Sequence, residues 1–146
     1  MRRSLLLIPF VALLLAPDAK EDAIAKDKAA LKGTWKVASV AYWKDDKKAE
    51  EELRDAVIVF SDKTFTSKPG FGKIESNYTI DPSKTPKEIE LTSPDESDKK
   101  TAMTMLYKIE GDTLIICVSL GESRPKEFKP SEETKTIVIT YKRVKP

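Results

Sequence analysis

The stretch Leu31–Val37 reads LKGTWKV and sits where the periodicity of the chain changes. Before it, residues 20–32 have alanine-rich, helix-favouring composition, with Ile24 and Leu31 seven positions apart on one face of a short helix. Gly33 ends that helix and permits a tight entry into the first strand. From there the period drops to two: Trp35, Val37, Ser39, Ala41 and Trp43 fall on one side of the strand, with Thr34, Lys36, Ala38, Val40 and Tyr42 on the other. The junction therefore predicts a helical lead-in to an all-β domain.

The same alternation recurs to the end of the chain. After the charged run KDDKKAEEELRD, whose second half predicts an exposed turn or two of helix, AVIVF (56–60) and TFTSK (64–68) read as strands joined by a turn at 61–63. KIESNYTI (73–80) comes after a Pro69-Gly70 turn, and KEIELT (87–92) is a short strand. In TAMTMLYKIEG, the residues Met103, Met105, Tyr107 and Ile109 share a face. Gly111 and Asp112 make a hairpin, and TLIICVS (113–119) returns. TKTIVITYKRV closes the chain, with Ile137, Ile139, Tyr141 and Arg143 on one side. Nothing alternates helix with strand in the way a parallel sheet requires.

Eight antiparallel strands in simple succession are best satisfied by closing the sheet, because closure removes both edges. The expected fold is an eight-stranded antiparallel up-and-down barrel of lipocalin-like type with a short N-terminal helix, occupying residues 33–146 after a lead-in at 20–32. A barrel of this size either fills with its own side chains or holds one small ligand. Gly-x-Trp at the start of the first strand suits the closed base of such a barrel, with Trp35 beneath a basic side chain of the last strand. Arg143 has the inward parity for that role. These two residues are assigned to the structure of the floor, not to a ligand.

Composition narrows the function. The chain has 146 residues, enough for one domain with a real core, and 26 Lys and Arg against 24 Asp and Glu. Arg2 and Arg3 account for the whole excess of +2, so the remainder is balanced, which argues against nucleic acid or an anionic membrane surface as partner. Those arginines precede an apolar stretch, Leu5 to Ala16, of signal-peptide length and too short for a comfortable membrane span. Residues 1–19 are read as a signal peptide and the product as extracytoplasmic, periplasmic or secreted. Pro17 makes cleavage after either Ala16 or Ala19 imperfect, which keeps an uncleaved anchor as the alternative. The single cysteine, Cys117, lies among apolar neighbours and reads as a small core residue, so no internal disulfide is available. The chain has no histidine, which removes the usual general base and zinc ligand.

The succession LKGTWKV, EEEL, FSDKTFT, YTIDPSKTPKEIELT, YKIEGDTLIIC, RPKEF and YKRVK resembles a family of small exported domains of planctomycete bacteria. The resemblance covers nearly the whole chain after the leader. It implies a lipocalin-like fold of uncharacterised function and supplies no catalytic residues. SLGESRPKEF is similar to the family's loop carrying Arg-Pro and Phe, here Arg124, Pro125 and Phe128. FGKIES and SPDESDKK depart from its glycine-rich turns.

Function has two main readings. One is an envelope binding or interaction module with a packed interior, working through the barrel mouth and its loops. The other is a carrier holding a small apolar ligand inside the barrel, with Met103, Met105 and Tyr107 as adaptable lining. The packed interior is the adopted expectation, with any ligand contact at the mouth. Arg124, in a loop before proline, is a candidate anion clamp whose bland reading is a solvated charge. A carboxylate-based hydrolase is the weakest reading. The acidic runs Glu50, Glu51, Glu52 and Asp95, Glu96, Asp98 lie in hydrophilic stretches, where charge usually marks a solvated face, and neither has the spacing of a calcium loop. No cofactor or metal is expected. The partner is a small apolar ligand or an envelope protein, and the chain is expected to be a monomer.

Overall fold

The computed structural model describes residues 17–68, 74–94, 103–121 and 123–145. Most of the signal segment, the Pro69-Gly70 turn, and the acidic run of Asp95, Glu96 and Asp98 lie outside these residues. The elements in chain order are α1 (Pro17–Leu31), β1 (Gly33–Ala41), α2 (Lys47–Arg54), β2 (Val57–Phe60), β3 (Thr64–Lys68), β4 (Ile74–Asp81), β5 (Glu88–Thr92), β6 (Met103–Glu110), β7 (Thr113–Ser119) and β8 (Thr136–Arg143). Each strand pairs antiparallel with the next, and β8 pairs back onto β1 to close an eight-stranded barrel. The expected fold class is observed, and α1 begins three residues before the expected boundary at Lys20.

The core is the inward set that period two picks out. Ile58, Phe60, Phe65, Tyr78, Ile89, Leu91, Leu114, Ile116, Ile137 and Ile139 are all buried, drawn from β2, β3, β4, β5, β7 and β8. Phe60, Phe65 and Tyr78 stack edge to face or tilted, with ring centroids 5.2 Å apart in each pair with Phe60. α2 is capped by Asp46, whose side chain accepts from the backbone N–H of Ala49 at 3.1 Å, and it contributes Leu53 to the core.

One expectation is corrected, and one residue takes an unforeseen place. β1 does not keep one parity: its pairing with β8 slips between Val37 and Ser39, a bulge that places one extra residue on β1. Beyond it the inward positions become Val40 and Tyr42, which pack on the core, whereas Ser39 and Ala41 are exposed. Trp43, at the end of the run, is half-buried against Tyr42, with ring centroids 5.8 Å apart. Cys117 is fully buried, but on the outer face of β7, opposite in parity to Leu114, Ile116 and Val118. Segment 123–135 lies across that face: Pro125 is buried, and the Cys117 thiol donates to the carbonyl of Glu127 at 3.1 Å. Burial pushes the thiol up to about 11, so it stays protonated and unreactive at neutral pH.

Candidate functional site

One end of the barrel is closed by α1. The stripe Ile24, Asp27, Leu31 faces inward, with Leu31 fully buried. A helix C-terminus leaves carbonyls without intrahelical partners, and here the floor residues supply them. Trp35, fully buried, donates from its indole Nε1 to the carbonyl of Leu31 at 2.8 Å. Arg143 donates from one terminal nitrogen to the carbonyl of Lys32 at 3.1 Å and from the other to that of Ala30. The guanidinium lies 4.2 Å from the centre of the Trp35 ring, the expected floor contact. Gly33 adopts φ of +126°, and a Cβ there would come within 3.3 Å of Arg143, so the glycine of GTW serves both the backbone turn and the close approach of Arg143.

The opposite flank of α1 is tied down by Asp27, which is 8% exposed. Its Oδ2 accepts from the Tyr107 hydroxyl at 2.7 Å and from Lys87 Nζ at 2.8 Å. Burial first, and then the hydrogen bond and charge of Asp27, push the Tyr107 phenol above the ordinary tyrosine range. Tyr107 thus works at the floor. Sequence reading placed it with the two methionines, and its parity is theirs, but it points into the opposite end of the barrel. Asp27→Ala is expected to cost about 1–3 kcal/mol by stranding the Tyr107 hydroxyl. Asp27→Asn keeps an acceptor and loses only a partly exposed ion pair, so it should cost under about 1 kcal/mol. Urea denaturation of both variants measures the difference.

Toward the other end the described residues do not fill the barrel. Between the strands lies a cavity of about 80 Å³ that reaches the surface at the mouth. Ile58, Phe65, Ile116 and Ile139 form its walls, and Met105, buried, lies beside them. Met103 and Leu120 line it too and are 42% and 47% exposed, so the rim is apolar and solvent-facing where the described residues form it. Two polar side chains line it among the described residues, Ser67 and Tyr141, each about 5% exposed or less.

The remaining candidate residues lie elsewhere. Arg124 is exposed on segment 123–135 and does not line the cavity, while Pro125 beside it is buried and Phe128 is half-buried. Glu51 and Glu52 are exposed on α2, and Glu50 is half-buried against β1. Among the described residues no three His, Cys, Asp or Glu side chains gather as a metal site would need, and no helix is long and apolar enough to cross a membrane. Sequence reading missed Asp27, Lys87, Ser67 and Tyr141 as site residues. Asp27 had a legible signal: it falls three residues after Ile24 and four before Leu31, on the stripe that had to be buried.

No family model, curated protein or solved structure matches the chain.

Proposed function

We propose that the protein is an exported, non-catalytic binding module of the cell envelope that holds the apolar end of a small amphipathic molecule in the end of its barrel opposite α1. The observation that carries this reading is the apolar cavity of about 80 Å³ beneath a rim of exposed Met103 and Leu120. Large apolar side chains left in water around a concavity mark binding surfaces more often than isolated ones do, and methionine adapts its shape to the group that enters. The volume decides how much enters. An engineered cavity of about 150 Å³ accepts a benzene ring, so this one takes roughly half as much and not a whole lipid. The molecule's polar remainder then stays outside the cavity, beyond Met103 and Leu120. That favours a mouth-binding module over a carrier that encloses its cargo. Export rests on the arginine-flanked apolar leader, and the resemblance to exported planctomycete domains agrees with it.

The test uses octanoate below its aggregation concentration, followed by the methyl resonances of ¹³C-labelled methionine. Met103 and Met105 signals should shift together and saturate at one site, while Met1 does not move. Met105→Trp should abolish the shifts. Because the added ring has a void to occupy, it should cost less than the 1–3 kcal/mol typical of overpacking. Shifts that never saturate, or that survive Met105→Trp, would reject the mouth as a binding site.

A further inference from the structure

Resting on that reading of the mouth, we infer that the cavity selects an apolar group bearing one hydrogen-bond-accepting oxygen, such as the short-chain ketone or ester end of a larger molecule, and that Tyr141 is the residue that reads it.

A mere packing defect has a different lining. Genuinely empty cavities in proteins are lined by apolar groups, since a polar group facing one is deprived of both water and a partner. Here Tyr141 is 5% exposed and Ser67 is 4% exposed, both facing inward from β8 and β3. Neither side chain makes a hydrogen bond among the described residues. The other inward tyrosines differ: Tyr107 donates to Asp27 at 2.7 Å, and Tyr78 donates to the carbonyl of Ser61 at 2.6 Å. Among the described residues no buried side-chain oxygen is both sealed from solvent and unpartnered, so the Tyr141 and Ser67 hydroxyls keep access to solvent, and both residues line the cavity. A hydroxyl in such a place can exchange water for a ligand's oxygen when a complex forms.

The chemistry of the pair sets the ligand class. Burial alone holds the Tyr141 phenol above the ordinary tyrosine range, so it remains a neutral donor. With no cation among the described residues that line the cavity, a carboxylate or phosphate placed there would be desolvated without compensation. A carbonyl oxygen costs far less to bury and has two lone pairs for the two hydroxyls. The apolar walls provide for the carbon atoms on either side of it. An anionic headgroup, where the natural ligand has one, belongs outside the mouth.

The experiment compares two probes of matched shape, butan-2-one and 2-methylbut-1-ene, titrated into the full chain and into Tyr141→Phe and Ser67→Ala while the methionine methyl resonances are followed. Tyr141→Phe should weaken butan-2-one binding by about 3- to 10-fold, the net worth of one neutral hydrogen bond, and change the alkene by less than about two-fold. It should leave the melting temperature unchanged or raised, because the hydroxyl it removes has no hydrogen-bond partner among the described residues. Equal effects on the two probes, or none on either, would overturn the role of Tyr141 while leaving the mouth as a binding site. A lowered melting temperature would show that the hydroxyl has a partner within the protein and would overturn it as well. If neither probe binds the unmodified chain, the reading of the mouth falls and this inference with it. Should Tyr141→Phe fail to fold, an unchanged ketone affinity in Ser67→Ala would overturn the paired-hydroxyl assignment.

Discussion

Trp35→Ala is expected to lower the unfolding free energy by about 3–5 kcal/mol, the range for deleting a large buried aromatic side chain. The indole is fully buried and meets three things at once: the core, the Arg143 guanidinium at 4.2 Å, and the carbonyl of Leu31 at 2.8 Å. Removing it leaves a void at the floor, an unpaired helix-terminal carbonyl and a cation that has lost its ring. Collapse cannot repair all three, because Leu31 and Gly33 hold the backbone on either side. Trp35→Phe restores most of the volume and keeps the cation-to-ring contact but not the N–H donor, so it should recover more than half of the loss. Guanidinium or urea melts of the two variants measure this. A loss under about 1 kcal/mol for Trp35→Ala would show that the floor is not a point of stability.

Arg143→Met is expected to cost about 2–3 kcal/mol, judged from three contacts of different strength. From its sequence position alone the side chain offers a cation-to-ring contact of about 1–2 kcal/mol. The structure adds two charge-assisted hydrogen bonds to the carbonyls of Ala30 and Lys32, each of a kind worth about 1.5–3 kcal/mol when its partners are shielded. The terms are not additive, and the side chain is 25% exposed, which holds the total below their sum. Its further contact with Asp112 at 3.3 Å involves a half-exposed carboxylate and contributes little. Arg143→Lys keeps the charge but loses the fork that reaches two carbonyls at once, so it should recover less than half. If Arg143→Lys matches the unmodified chain in urea, the hydrogen-bond account of the floor is wrong.

The strands and their closure were legible because each buries one face, and an alternating run such as Ile137, Ile139, Tyr141 admits a single orientation. Trp35 and Arg143 were legible for the same reason: both are inward by parity, at the start of the first strand and the end of the last. Parity cannot see an inserted residue, and the bulge after Val37 therefore reversed the reading of Ser39 and Val40. It also fixes only the face on which a side chain lies, not its height along the barrel axis. Tyr107 and Met105 were grouped on that account, although one meets Asp27 at the floor and the other lines the cavity toward the mouth. The Asp27 to Tyr107 bond joins residues 80 apart, and no local pattern signals such a pair. Cys117 was legible as a buried residue, but nothing in TLIICVSL tells which face it takes or that Pro125 and Glu127 lie over its outer side. Tyr141 and Ser67 took their meaning from the space beside them, which is a property of the packed barrel and not of either strand.

The bonds that seal the floor join Arg143 to Lys32 and Ala30 across 111 and 113 residues of chain. Neighbouring hairpins can pair as soon as they leave the ribosome, and Trp35 is at hand for the carbonyl of Leu31, but the carbonyls of Ala30 and Lys32 cannot meet Arg143 until β8 has been made. Without β8 the sheet cannot close, and closing it means bringing the first strand to the last over nearly the full contour. Topologies dominated by such distant contacts fold slowly, on the scale of milliseconds to seconds. Were the chain exported as we propose, that delay would let the polypeptide meet the translocation machinery before its own last strand could lock it.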